Sequence, residues 1–552
     1  MKKYLAALCA LCVFSLGGIA LAETEIVLSD DGITAGDGVQ IEDSTATITA
    51  GGVYRLRGTM EEGNLVVDAA DDVEIIWDGA ALACSTQAPV VARGGGNLRL
   101  TLPEGGSGTI SDLRRSGTDA EYDAALFATG EVTVTGEGSL AVVGQAGHGV
   151  RAGGLRLEGG SLGILSEGDG LHVEGGLELD GGYVEATAGG YGVYVDGDAT
   201  VANGDLLLDS DADGVYIEES LSITGGALEI TAGGGASASA STTSYYDAFF
   251  GYDPFDFFFG GSPYDSYYGY NDTAARTYDA LSAAQISVQG GSLVLDASGD
   301  GLRADSGIHI SDGALSIACG SDGLRAGETL DISGGTLWVD ESNVGLAGAD
   351  VSLANAEITL VSADAGISAV SERGGEAAVR AGAMLAITSS GDGIQAGADV
   401  RLEGGETRIT CSSRSGAPLN AGGEVFMDGG TLVSSGMANA AEVAGDSAQP
   451  MLLARFNATL RSGVQVVVED ANGESVFSFS PEQNFSMLQL SSPALAQGET
   501  YTIYVEGEAL GAATVDGAVS SFSGDFINED APDRSQDEAP AETPQQDGLE
   551  RI

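Results

Sequence analysis

A beat of 22 residues constrains this chain more than anything else in it. Gly170, Gly192 and Gly214 sit in EGDGLHVEGG, GGYGVYVDGD and DADGVYIEES, and Gly301, Gly323 and Gly345 resume the same spacing further on. Gly-Gly pairs at 159–160, 181–182, 225–226, 290–291 and 334–335 keep a fixed phase to those glycines. Between the glycines each unit holds three short runs of period 2. Leu155/Leu157, Leu162/Ile164 and Leu171/Val173 form one set, and Leu177/Leu179, Val184/Ala186 and Val193/Val195 form the next. So small a unit cannot bury its apolar side chains alone and must stack on its neighbours. The pattern predicts an all-β protein, a right-handed single-stranded parallel β-helix with three short strands per coil. Residues one period apart then become side-by-side ladders about 4.8 Å apart. A propeller blade needs about 40 residues or more, and a sandwich does not keep so constant a period.

The repeat runs over about residues 40–436, with ETEIVLSDDGITAGDG as its cap, and predicts a β-helix domain over 23–446. Two interruptions stand out. The phase slips near 371–383, as a coil insertion would make it do. At 232–278 an aromatic, low-complexity insertion opens, and 14 of the chain's 34 aromatic residues fall between Tyr245 and Tyr278. Two readings fit that insertion: a loop folding over the adjacent face to supply rings to a ligand, or a segment without fixed shape. After the repeat, longer strands and an Asn472-Gly473 hairpin turn predict a small, sandwich-like β-domain at 447–525. The Pro- and acid-rich tail, 526–552, predicts disorder.

Charge narrows the partners. The chain carries 82 acids against 22 basic residues, a formal net charge of −60. Nucleic acid and anionic membrane are poor partners for such a surface. Both lysines, Lys2 and Lys3, open the segment MKKYLAALCALCVFSLGGIALA, whose basic start, apolar stretch and Ala-Leu-Ala end have the layout of a secretory leader cleaved after Ala22. Secretion, or loose association with a cell surface, is the expected localisation. No second apolar run approaches the ~20 residues of a membrane span. Cys84, Cys319 and Cys411, an odd number after the leader, each follow an apolar run and predict buried free thiols.

Two ladders could carry chemistry. Between the two inward residues of each third strand lies one outward residue, which gives Arg151, His172, Tyr194 and Tyr216, then Arg303 and Arg325. Tyr faces suit the C–H faces of sugars, His adds a hydrogen-bonding edge, and Arg offers a fork for carboxylate or vicinal hydroxyls. The plainer reading is that such residues cover any solvated sheet. The second ladder is the residue before each corner glycine: Asp169, Tyr191, Asp213, Asp300, Asp322, Val344, Ala365 and Asp392. Stacked carboxylates repel unless a cation or donor lies between them, so Asp300 with Asp322, and Asp209, Asp211 and Asp213, are the expected Ca²⁺ ligands. The alternative is turn chemistry, since Asp before Gly favours tight corners. Of the three histidines, His309 fits an ordinary surface position, and no nucleophile–base motif occurs.

The segment GGVYRLRGTMEEGNLVVDAADDVEIIWDGAALACSTQAPVVARGGGNLRLTLPEGGSGTISD, followed by GGxLxIxxxxDGLxAxxxLxISGG coils, resembles a family of secreted bacterial carbohydrate-binding proteins. The resemblance covers about residues 45–436. Its fold is similar to the parallel β-helix of pectin-type polysaccharide lyases. It implies binding to plant cell-wall polysaccharide of the cellulose or polygalacturonate class, with Ca²⁺ held at Asp-Asp-Gly corners. Most corners here keep only the second acid. The related lyases abstract a proton beside a uronate carboxylate, which takes a positioned Lys or Arg base; the chain has no Lys after the leader, and Arg303 or Arg325 would have to serve. A non-catalytic polysaccharide-binding protein is therefore the expected function. A Ca²⁺-dependent uronan lyase and a surface adhesin or structural protein are the alternatives.

Overall fold

The computed structural model describes residues 23–115, 121–239, 277–371, 374–437, 440–441 and 443–524. The leader, the tail from 525 and the aromatic segment Tyr245–Tyr270 lie outside the described residues. The architecture is a β-solenoid of about 16 turns with additional strands at its C-terminal end. Each strand pairs in parallel with the one a coil away, and the three runs per unit build three faces. Face one stacks strands such as Leu177–Leu179 on Ala199–Val201. Face two stacks Ser161–Ser166, Tyr183–Ala188 and Asp205–Ser210. Face three stacks Leu171–Val173, Val193–Val195 and Val215–Ile223.

The period-2 pattern decides what goes inside. Leu155, Leu157, Leu162, Ile164, Leu171 and Val173 are all buried, and so are their partners one coil on. They join one apolar column that runs from Ile26 to Met451. The corner glycines are required by close approach: a Cβ on Gly214 would stand 2.1 Å from Ile230 Cγ2 and 2.6 Å from the Ala280 carbonyl. Any side chain there would push adjacent coils apart. Cys84, Cys319 and Cys411 are buried free thiols, and burial raises the Cys411 thiol to about 12.

Each end of the column is closed by a change of direction. At the N-terminal end Thr24–Leu28 and Thr34–Ala35 pair antiparallel, as do Val39–Glu42 and Thr45–Ile48. At the other end Val425–Gly436 pairs antiparallel with Phe485–Ser491. That strand covers an edge which would otherwise offer free backbone groups to another chain. Beyond it, Ser475–Phe479, Val466–Glu469, Thr500–Val505 and Glu508–Thr514 form a four-stranded antiparallel sheet. Its Val466, Phe477, Tyr501 and Ile503 join Phe456, Phe485 and Phe522 in a cluster separate from the solenoid column. The turn at Asn472-Gly473 joins the first two strands of that sheet, with Gly473 at φ +80°. Among the described residues no helix is long and apolar enough to cross a membrane.

Candidate functional site: face three and its corner column

Face three keeps the sequence-derived strip in register. Arg151 pairs with His172, His172 with Tyr194, and Tyr194 with Tyr216. The column then passes through Ser282 to Arg303 and Arg325. Ser282 follows the insertion in sequence, and the ladder is continuous through it from Tyr216 to Arg303. All six expected residues share one outward column.

The rings do not lie as sugar-stacking platforms usually would. His172 stacks on Tyr194 at 4.7 Å and 16°, and Tyr194 on Tyr216 at 5.5 Å and 5°. Their faces lie against one another, so edges and hydroxyls meet the solvent. Tyr191 tilts against both tyrosines, at 5.4 and 5.6 Å. Burial raises all three phenols, Tyr191 to about 12, which keeps them protonated donors. The Tyr194 hydroxyl donates to Glu218 at 3.1 Å. Arg151 bridges Asp123 at 2.7 Å and Glu174 at 2.6 Å.

Beside the strip runs the corner column, which the backbone traces as His148, Asp169, Tyr191, Asp213, Asp279, Asp300 and Asp322, with Asp123 next to Ala124, the residue paired with His148. Its acids do a common job. Asp169 accepts the Tyr191 amide at 3.0 Å, Asp213 that of Asp279 at 2.9 Å, Asp279 that of Asp300 at 2.7 Å, and Asp300 that of Asp322 at 2.8 Å. Each carboxylate thus ties one coil to the next.

The acids differ in charge state. Burial works against ionisation of Asp169, but hydrogen bonds from His148 and His172 and the Tyr191 amide outweigh it and hold the carboxyl at about 2. At Asp213 burial wins and pushes the carboxyl up to about 6. Asp279 and Asp322 are also raised, first by burial and then by the neighbouring Asp300 carboxylate. Arg303 stands 3.8 Å from Asp279, and Arg325 is 3.3 Å from Asp322.

The expected calcium ligands do not form one group. Asp209 and Asp211 are exposed and line a shallow cleft on face two with Ser166, Glu167 and Thr187. Asp213 faces the corner column instead. In Asp213, Asp300 and Asp322 the oxygens are engaged with backbone amides or Arg325. Ca²⁺ takes six to eight oxygens, and this donor set does not converge to supply them.

A family model described as carbohydrate-binding domain-containing protein matches residues 42–323 and 320–463. The chain belongs to that family. A curated carbohydrate-binding domain-containing protein from Acetivibrio thermocellus is 23% identical over 149 residues, covering 25% of this chain and 52% of that protein. The chain thus spans about half the length of the curated relative it matches. A solved structure described as a polysaccharide lyase-like protein from C. thermocellum, as a gadolinium derivative, is 22% identical, with a TM-score of 0.37, covering 39% of this chain and 92% of that one.

Within this carbohydrate-binding solenoid, sequence reasoning missed two corner residues. Asp279 sits directly after the insertion, where the period restarts out of step with residue numbers. His148 occupies the corner in GHG where later coils carry GDG and GYG. Gly149 stands 21 rather than 22 residues before Gly170, so a ladder begun at Asp169 stopped one coil short of His148. The omission matters because His148, Asp169 and His172 bring one donor atom each within 4.8 Å of one another.

Proposed function

We propose that the chain binds a neutral, extended polysaccharide of the plant cell-wall type along face three and does not cleave it. The observation that carries this reading is the unbroken outward column from Arg151 to Arg325, in which each coil offers a new polar edge about every 4.8 Å. That spacing is on the scale of one pyranose ring, so a chain lying along the solenoid meets a fresh donor or acceptor at each step. Hydroxyls of Tyr194 and Tyr216, the His172 edge and the Arg303 and Arg325 forks supply donors. Glu174 and Glu218 supply acceptors beside them.

Acids along the strip and the net charge of −60 disfavour a uronate polymer, which makes the cellulose class a better ligand than polygalacturonate. A lyase base would have to come from Arg303 or Arg325, and both are engaged with corner acids, Asp279 and Asp322. The leader-like N-terminus supports an extracellular setting for such a ligand.

Affinity electrophoresis in gels containing a soluble neutral β-glucan tests the reading. The wild-type chain is expected to be retarded, and Tyr194→Ala/Tyr216→Ala to bind roughly tenfold more weakly or worse, the order for losing two hydroxyl hydrogen bonds of about 1 kcal/mol each. Equal retardation of the two proteins would remove face three as the binding surface. Incubation with polygalacturonate should leave the ultraviolet absorbance flat, and a steady rise from unsaturated product would make the chain a lyase.

A further inference from the structure

We propose that His148, Asp169 and His172 form a binding site for a transition-metal dication of the Zn²⁺ type. The site follows from solenoid register. His148 and Asp169 are successive members of the corner column, and His172 is the outward residue of the strand that follows Asp169. Asp169 Oδ2 stands 3.1 Å from His148 Nδ1 and 2.8 Å from His172 Nδ1. Metal bonds of about 2.0–2.1 Å in a tetrahedron set neighbouring donors roughly 3.3–3.5 Å apart, so Asp169 needs to part from each imidazole by only a few tenths of an ångström, and all three donors already lie within 4.8 Å of one another. Two imidazoles and one carboxylate select Zn²⁺, Cu²⁺ or Ni²⁺ over Ca²⁺ and Mg²⁺, which prefer oxygen. Three protein ligands leave a coordination position for water.

Two further observations bear on a cation at this place. His148 Nδ1 accepts the Asp169 amide at 3.0 Å while facing the Asp169 carboxylate at 3.1 Å. One ring nitrogen cannot accept that amide and donate to that carboxylate together; a cation between nitrogen and carboxylate would take the lone pair in place of the amide, which must turn aside. On the far side of the same ring, Asp123 Oδ2 lies 3.8 Å from Nε2, and Asp123 Oδ1 is buried without a partner. A carboxylate behind a ligand imidazole is the usual arrangement that orients it toward a metal. The acidic surface adds a general attraction for dications.

The test uses the purified full chain stripped with a chelator. Titration with ZnCl₂ against a chromophoric competitor should show one tight equivalent, with CaCl₂ failing to displace it. His148→Gln and His172→Gln should each weaken that equivalent by at least about tenfold, at or above the range for loss of a supporting residue, and the double variant should lose it. Asp169→Asn keeps an acceptor for the Tyr191 amide and should also weaken the metal, which guards against a variant that fails only by misfolding. With one equivalent of Cu²⁺, the wild-type electron paramagnetic resonance spectrum should carry hyperfine structure from two imidazole nitrogens. Absence of a stoichiometric Zn²⁺ equivalent, absence of nitrogen coupling in the wild type, or undiminished affinity in the double variant overturns the site.

Discussion

The corner column treats one residue type in opposite ways along its length. At the Asp169 end, imidazoles flank the carboxylate and hold it at about 2. A few coils on, Asp213, Asp279, Asp300 and Asp322 follow one another, and burial with mutual repulsion raises Asp213 to about 6 and lifts Asp279 and Asp322 too. The backbone job is the same at both ends: each acid accepts an amide from the next coil. What differs is the residue one coil away. In a solenoid, register makes that residue a permanent neighbour, so a substitution one period along the chain sets a charge state as firmly as a direct contact.

The comparison is sharpened most by removing the hub at its histidine end. Asp169→Leu leaves the Tyr191 amide without an acceptor and both imidazoles without their shared carboxylate, an expected loss on the order of 2–3 kcal/mol. Asp169→Asn restores the acceptor but gives up the charge, and should cost less than Asp169→Leu while keeping the Tyr191 amide bonded. Because a repeat protein opens locally, hydrogen exchange at the Tyr191 amide is the suitable readout, with thermal unfolding beside it. Equal protection in the two variants would mean that the amide does not depend on this carboxylate.

The carboxylate end carries the pH dependence. An acid whose folded pKa is raised binds more protons folded than unfolded, so its contribution to stability falls as pH rises through the window between the two values. For Asp213 that window runs from about 4, the ordinary Asp value, to about 6. Asp279 and Asp322 extend the fall to higher pH. Asp169 works in the other direction, and its contribution is lost as pH drops from about 4 toward about 2. Asp279→Asn keeps the acceptor for the Asp300 amide and removes the charge. It should therefore raise the thermal midpoint at pH 8, by roughly 1–3 kcal/mol of stability, and change it little at pH 5. A variant destabilised at both pH values would show that the acid is needed as an anion.

Much of the molecule was legible in its glycines. The spacing of Gly170, Gly192 and Gly214 set the coil, and the alternation of Leu171, His172 and Val173 set which side chain faces out, because a strand has only two faces. The outward column from Arg151 to Arg325 followed from counting. Counting failed where the period broke, so Asp279 was lost at the end of the insertion and His148 was lost where one coil is a residue shorter than the next. Ring orientation was beyond counting altogether: register places Tyr194 beside Tyr216, but whether faces or edges meet the solvent depends on side-chain torsions. The calcium set shows a related limit. Asp209, Asp211 and Asp213 are near in sequence, yet the corner sends Asp213 to one side and leaves the other two on face two.

The smallest expected effect probes what keeps the carboxylate end from repelling itself apart. Arg325 lies 3.3 Å from Asp322 with its side chain 49% exposed, so solvent screens the pair and its direct worth is about 0–1 kcal/mol. Its influence on the column is felt through Asp322, whose rise from burial and from Asp300 it opposes. Arg325→Gln should leave stability near pH 5 almost unchanged, since Asp322 is then largely protonated and offers little for the guanidinium to attract. At pH 8 the variant should fall slightly below the wild type, and adding Asp279→Asn should recover most of that deficit by thinning the charge on the column. Thermal midpoints of the two single variants and the double at both pH values read this coupling. Strictly additive effects would mean that the acids titrate independently, and the contrast between the two ends of the column would then reduce to burial alone.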